Sequence, residues 1–591
     1  MPTRQEMWDR LGSDVDVLII GGGINGAGIA RDAAKRGLRT ALVEMGDLAS
    51  GTSSRSSKLV HGGLRYLEQF EFSLVFEAVS ERRILMDIAP HLVNPLGFLF
   101  PVYKGDRRLL STISAGMVVY EGLSLFRSPK RYRRLKPKHV AEEEPALTRE
   151  GLKGAPLYYD CSTDDARLTL ETALSATEVG AVIAPWVKAI RLRHDEHGTL
   201  VGATVEDVLT GATKDIAASV IINATGPWTD STVAMASVPP ADGEEAKTSA
   251  PVLRPTKGVH IVVPKDVLPV NHAVVCFHPD DGRVLFALPW SDATYVGTTD
   301  TDFDGDPSEV RADRADVEYL QAAMAKYFPE HPVTDDDIIC TWAGLRPLVS
   351  PPSKDGEEMD ESSVSREHRI IVSKSGLITI AGGKLTTYRL MSKEVVDTAS
   401  KMLRLRGQLR RRLNPARTEE DPLPGAVSWP EDDDHEVVAR QIKDIGGDQV
   451  SLATARLLAD TYGMKGADVA RRVRQDKRLA DPLVPGRPEI LAQVDHAVQD
   501  ELASTVTDVL KNRTALFYRD PHQGLAAAPA VADRMADLLR WDEATRIRME
   551  QDYRAEVDLS RRWRLDPPTG VADDAAGEEI GSDGGEDPEG A

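Results

Sequence analysis

Asp16-Val-Leu-Ile-Ile20 runs into Gly21-Gly-Gly-Ile-Asn-Gly26 and then into Ala27-Gly-Ile-Ala-Arg-Asp-Ala-Ala34. Strand, glycine turn and helix in that order open a βαβ unit of a parallel α/β sheet. Gly21 permits the tight turn, Gly23 lets the backbone approach a pyrophosphate, and Gly26 allows the helix to pack on the strand. Ile24 and Asn25 fall at the positive end of that helix, where phosphate charge is welcome. A second apolar run, Thr40-Ala-Leu-Val43, ends at Glu44, about where an acidic side chain meets an adenosine ribose hydroxyl. The expectation is a bound dinucleotide.

A nicotinamide-type domain would go on alternating strands and helices. Here the chain instead enters Gly51-Thr-Ser-Ser-Arg-Ser-Ser-Lys58-Leu-Val-His61-Gly-Gly-Leu-Arg65-Tyr-Leu-Glu68. Small side chains and hydroxyls suit a segment passing close to a large planar cofactor, and its cations and His61 suit a reacting centre.

The strings Ile20-Gly-Gly-Gly-Ile-Asn-Gly-Ala-Gly28, Thr52 to Glu68 and Gly382-Gly-Lys-Leu-Thr-Thr-Tyr-Arg389 make the chain resemble the FAD-dependent, quinone-linked glycerol-3-phosphate dehydrogenases. The resemblance spans about 14–400 and continues more faintly to about 556. It implies non-covalently bound FAD and oxidation of sn-glycerol 3-phosphate to dihydroxyacetone phosphate, with a membrane quinone taking the electrons. The implied cofactor contacts are Gly21, Gly23, Ile24, Asn25, Gly26 and Glu44; Thr52, Ser53, Ser57, Lys58, Leu59, His61 and Gly62; Val187 in Ala184-Pro-Trp-Val187 on the adenine side; Ala224, Thr225 and Gly226; and Gly382, Gly383, Lys384, Leu385 and Thr386. One departure is Lys511-Asn-Arg-Thr514, where the family tends to carry paired arginines before the threonine.

At 591 residues the chain is too long for one core, and a net charge of -21 excludes a general nucleic-acid binder. An anionic substrate must then be held by local cations. The three cysteines, Cys161, Cys276 and Cys340, have no metal-ligand spacing and read as packing residues in a reducing compartment, with no metal site expected. Residues 1–10 carry no apolar signal core, so a cytoplasmic location is expected. The longest apolar stretch, 109–120, is shorter than the ~20 residues needed to span a bilayer. It leads into Arg127, Lys130, Arg131, Arg133, Arg134, Lys136 and Lys138. An apolar helix beside a basic cluster suits peripheral attachment to the anionic inner face of the cell membrane, or else a core helix with a solvated basic face.

The fold class is α/β, α+β overall: a Rossmann-like FAD domain interleaved with an antiparallel-sheet substrate domain, then an all-helical C-terminal domain. The FAD domain takes 14–90, 151–230 and 340–400, with a cap or membrane-surface segment at 91–150 between the first two. Within 231–339, apolar runs at 260–264, 273–277, 283–288 and 294–297 are separated by turns and predict an antiparallel sheet. A linker follows at 401–429. Helical patterns at 453–462, 466–475, 488–501, 505–510 and 530–539 mark the domain 430–564, and the Gly- and acid-rich 565–591 reads as a disordered tail. A homodimer stays open.

For chemistry, the late strand, glycine pair and helix around Gly382 offer a second helix N-terminus that, with Lys384, can stabilise a reduced flavin. A phosphate monoester calls for guanidinium forks. Arg65 and Arg346 are the candidates, and the resemblance adds Tyr66, His260 and Lys384 to the substrate site. Removing the hydroxyl proton suits a histidine, with His260 the first choice, His61 the alternative and Arg346 an assistant. The rival readings are an oxygen-using glycerol-3-phosphate oxidase, a related flavin amine or amino-acid oxidase, and a flavin-carrying regulatory protein. The cationic set Arg65, Arg346 and Lys384 argues against the amine oxidases.

Overall fold

The computed structural model describes residues 2–12, 14–63, 71–106, 109–123, 129–237, 250–350 and 368–568. Arg65, Tyr66, Arg127 and most of the expected tail lie outside them. Two sheets organise the chain.

The spine of the first sheet is ordered Arg369–Val372, Leu377–Ala381, Thr213–Asn223, Val15–Ile20, Thr40–Glu44, Val182–Pro185. The last five pair in parallel, and Arg369–Val372 is antiparallel to its neighbour. Every residue of Val15–Ile20 and Thr40–Glu44 is buried. Val17 and Ile19 pack with Ala27, Ile29 and Val395 of the helices Ile24–Lys35 and Tyr388–Leu405. Leu18 and Ile20 pack on the other side with Trp8, Leu192 and Val205, from the helix Arg4–Arg10 and the antiparallel extension Val187–His194 and Leu200–Asp207. Cover on both faces is why these strands read as unbroken apolar runs.

The second sheet is almost wholly antiparallel. It contains the expected strands, here Leu253–Pro264, Ala273–Phe277, Val284–Trp290 and Ala293–Gly297. It also takes Leu59–Val60, Val93–Leu99, Leu152–Thr163 and Cys340–Val349, so boundaries at 91, 151 and 340 do not separate the two sheets. Pro95, Gly97 and Pro156 interrupt the alternation that would have announced two of these strands.

Helices His435–Gly446, Leu452–Tyr462, Gly466–Gln475, Ala492–Asp500, Ala528–Leu539 and Glu543–Arg561 build the C-terminal region. The last hid from sequence reading because it buries only a thin stripe, Met549, Tyr553 and Val557. Its C-terminal end packs on the second sheet, where Thr341 Oγ1 donates to the Ser560 carbonyl at 2.8 Å. The stretch expected as a linker is a packed strap: Arg411 pairs with Asp16 at 2.5 Å, and Leu423 is buried.

Candidate active site

Parallel pairing in register explains how turns far apart in sequence gather at one edge. Ile20 lies opposite Asn223 and Val43, Glu44 opposite Pro185, and Asn223 opposite Thr379. The strands therefore end together, and Gly21, Trp186, Ala224 and Gly382 leave from the same carboxyl edge, the crevice where α/β sheets bind ligands. The turn itself tolerates no side chain: a Cβ on Gly26 would stand 1.9 Å from the Gly21 carbonyl oxygen, and Gly21 has φ +109°. Val187 is fully buried beside this edge. Thr225 donates through Oγ1 to Asn223 Oδ1 at 2.7 Å, and Gly226 opens the short turn Gly226–Trp228.

Glu44 is buried, and its carboxylate accepts from the N–H groups of Gly22 at 2.6 Å and Gly46 at 2.9 Å. Burial pushes its pKa up, against the pull of those two N–H groups. The turn beyond it is held from the helical domain: Arg513, fully buried, forks both guanidinium nitrogens onto Asp47 at 2.6 and 2.9 Å. Lys511-Asn-Arg-Thr514 thus stands beside the predicted ribose end of the site.

The segment after Gly51 crosses from the first sheet to the second. Ser53 Oγ accepts from the Ile24 N–H at 2.9 Å, and Thr52 Oγ1 donates to the Leu345 carbonyl at 2.7 Å. The Lys58 ammonium is buried against Asp165 at 2.5 Å, among the rings of Trp290, Trp342 and Tyr518. It is therefore committed to the protein interior. Leu59 is buried in the same core as Trp342. The His61 N–H donates to Thr386 Oγ1 at 3.2 Å, which joins this segment to the turn that follows Leu377–Ala381 and carries Gly382, Gly383, Lys384 and Leu385. His61 Nδ1 accepts from the Gly63 N–H at 3.0 Å, and the Gly62 N–H donates to Asp160 at 3.1 Å. His61 thus serves its own turn.

Cross-strand register assembles the second half. Leu253–Pro264 runs antiparallel to Cys340–Val349 with His260 opposite Trp342, Gly258 opposite Gly344 and Thr256 opposite Arg346. Alternation puts all six on one face of the sheet. The two glycines let neighbours lie close against the strands between a histidine end and an arginine end: a Cβ on Gly258 would stand 2.6 Å from Arg346 Nη2 and 2.6 Å from Thr298 Oγ1. A Cβ on Gly344 would lie 2.5 Å from the Arg55 carbonyl oxygen.

At the histidine end, the buried His260 ring stacks on Trp342 with centroids 4.8 Å apart, and its Nε2 lies 2.9 Å from Ser57 Oγ. Its Nδ1 is buried with no hydrogen-bond partner among the described residues. Burial, then the charges of Arg346 and Lys58, drive its pKa well below the ordinary imidazole value. At the other end, the Arg346 guanidinium donates to Asp300 at 2.8 Å, the Thr299 carbonyl at 3.1 Å and Thr298 Oγ1 at 3.2 Å. Sequence reading named His260 and Arg346 but missed Ser57 as the ring's partner, Asp300 as the arginine's, and the stacking of Trp342. None carries a local signal, because each partnership depends on register.

The residues fit FAD: a glycine cradle with no room for side chains, a buried carboxylate at the end of Thr40–Glu44, and a buried ring nitrogen of His260 without a partner among the described residues. Comparisons with known proteins agree. A profile of the FAD dependent oxidoreductase family matches residues 16–389, and one for the C-terminal domain of alpha-glycerophosphate oxidase matches residues 416–546. The chain is 36% identical over 550 residues to the aerobic glycerol-3-phosphate dehydrogenase of Staphylococcus haemolyticus, covering 93% of this chain and 94% of that protein. It is 38% identical over 531 residues to the protein of the same name in Staphylococcus aureus, covering 90% and 92%. The glycerol-3-phosphate dehydrogenase of Bacillus halodurans, solved in complex with FAD, has a TM-score of 0.74 and 32% identity, over 94% of this chain and 96% of that one.

Proposed function

The chain belongs to the FAD dependent oxidoreductase family, and on that premise we propose that it oxidises sn-glycerol 3-phosphate to dihydroxyacetone phosphate and passes the electrons to a membrane quinone. What carries the reading is that an uncharged imidazole, His260, and a guanidinium, Arg346, share one sheet face with small glycines between them. The glycine cradle would hold FAD, which would supply the acceptor for the hydride of the substrate's secondary carbon. His260 takes the hydroxyl proton, with Ser57 fixing the ring so that the same nitrogen always faces the alcohol. Arg346 binds the phosphate while Asp300 holds its guanidinium in place, and Arg65, Tyr66 and Lys384 complete the substrate site.

Among the described residues no helix is long and apolar enough to cross a membrane. In this proposal the protein rests on the inner membrane face through the helix Leu110–Leu123, which buries Ile113, Met117 and Tyr120 while exposing Val118 and Val119. The deciding experiment is the anaerobic flavin spectrum. Purified protein should be yellow and bleach on addition of sn-glycerol 3-phosphate, with reoxidation by a quinone analogue outpacing peroxide formation. Bleaching by glycine or sarcosine instead would move the protein to the amine and amino-acid oxidases, and peroxide as the main product would make it an oxidase.

A further inference from the structure

We propose that the C-terminal helical domain completes the nucleotide site: its Asp508 and Arg513 are positioning residues that hold Trp186, Gly46 and Asp47 around the Glu44 carboxylate, and so set the affinity for the ADP half of FAD. The inference rests on Glu44 as the ribose acceptor.

Two arms leave one short segment. In the first, Arg513 forks onto Asp47, and Asn512 Nδ2 adds a third donor to the same carboxylate at 2.8 Å. Asp47 closes the turn that aims Glu44, since its carbonyl accepts from the Ser50 N–H at 3.1 Å while the Ser50 hydroxyl and the Gly46 N–H reach back to Glu44 Oε1 at 3.4 and 2.9 Å. In the second arm, Asp508 Oδ2 accepts from the Trp186 indole at 3.1 Å, and the Trp186 N–H donates to the Gly46 carbonyl at 2.9 Å. Trp186 has φ +58°, a left-handed conformation that a bulky residue keeps only when its surroundings hold it. The segment Asp508–Arg513 is a π-helix, closed by the Thr514 N–H to the Val509 carbonyl at 3.0 Å. Its wider turn brings residues 512 and 513 round to the side of residue 508, so both arms start from one place. Removing the guanidinium strands the buried Asp47 carboxylate, and the turn must rearrange to reach water.

The test is FAD release from diluted holoenzyme, followed by free-flavin fluorescence. Arg513→Gln and Asp47→Asn should each raise the FAD dissociation constant tenfold or more, and the double variant should be no worse than the weaker single. Arg513→Lys, which keeps charge without the fork, should fall between, and kcat at saturating FAD should stay within about threefold of wild type in all of them. Two controls separate positioning from stability and from the ribose reading. Arg534→Gln breaks the Arg534–Asp495 pair inside the helical domain, at 2.5 Å, and should leave FAD affinity unchanged. Equal weakening there, or wild-type affinity in Arg513→Gln and Asp47→Asn while Glu44→Gln is weakened, overturns the inference. Unchanged affinity in Glu44→Gln removes the ribose reading on which it stands.

Discussion

Ser57 Oγ lies 2.9 Å from His260 Nε2, which ties the segment crossing between the two sheets to the buried histidine opposite Trp342. That bond occupies one ring nitrogen and leaves Nδ1 as the orphan. Burial first, then Arg346 and Lys58, lower the pKa, so the ring is neutral and able to accept a proton at pH 7. The acid limb of kcat/KM should therefore fall below the ordinary value of about 6.5. In Arg346→Gln it should move upward, because a positive neighbour is gone while burial remains. His260→Asn should lower kcat by roughly 10²- to 10⁴-fold with FAD content unchanged. A wild-type limb at or above pH 6.5, or one that ignores Arg346→Gln, would assign the proton to another group.

Arg346 should matter through its fork. A lysine there can keep the ion pair with Asp300 but cannot present two parallel donors to a phosphate. Arg346→Lys should raise KM for sn-glycerol 3-phosphate about 10- to 100-fold, a loss of about 1.5–3 kcal/mol. The residual turnover of unphosphorylated glycerol should not change. A KM that stays within twofold would remove Arg346 from phosphate recognition.

What could be read from the sequence was whatever is contiguous. The cradle was visible because Gly21 and Gly26 sit within one turn and their roles depend only on local chain geometry. That His260 stands opposite Trp342 and Thr256 opposite Arg346 was not, because the two strands meet only in the folded sheet. Trp342 is a packing residue, and only register reveals that it packs on His260. Asp300 and Asp47 were invisible for the same reason, each partner arriving from a distant element.

Membrane docking can be tested through charge. Arg131, Arg133, Arg134 and Lys136 are exposed around the edge strand Arg133–Leu135, although Arg133 also pairs with Glu143 at 2.9 Å. Near an anionic bilayer each cation contributes about 1 kcal/mol. Changing all four to glutamate should weaken co-sedimentation with phosphatidylglycerol vesicles by at least about 100-fold at low salt, with soluble-dye activity retained. Unchanged vesicle binding would leave the basic run as a solvated face.

Stability of the helical domain should depend on pH through His496. Burial pulls its pKa down, but ion pairs to Asp500 at 3.0 Å and Glu501 at 3.5 Å override that and raise it to about 9. The same contact, with Arg472, brings Asp500 down to about 2. A histidine bound more tightly to its proton in the folded state stabilises fully below its unfolded value of about 6.5, and the contribution disappears as pH rises through 9. The size is about 3 kcal/mol. On the acid side, the Asp500 contribution should fade only below about pH 4, as the pH falls towards 2. Urea unfolding, followed by a probe in the helical domain, should lose that stability between pH 6.5 and 9 in the wild type, whereas His496→Gln should start lower and stay nearly flat. Parallel pH profiles for the two proteins would mean that folding does not shift the His496 pKa.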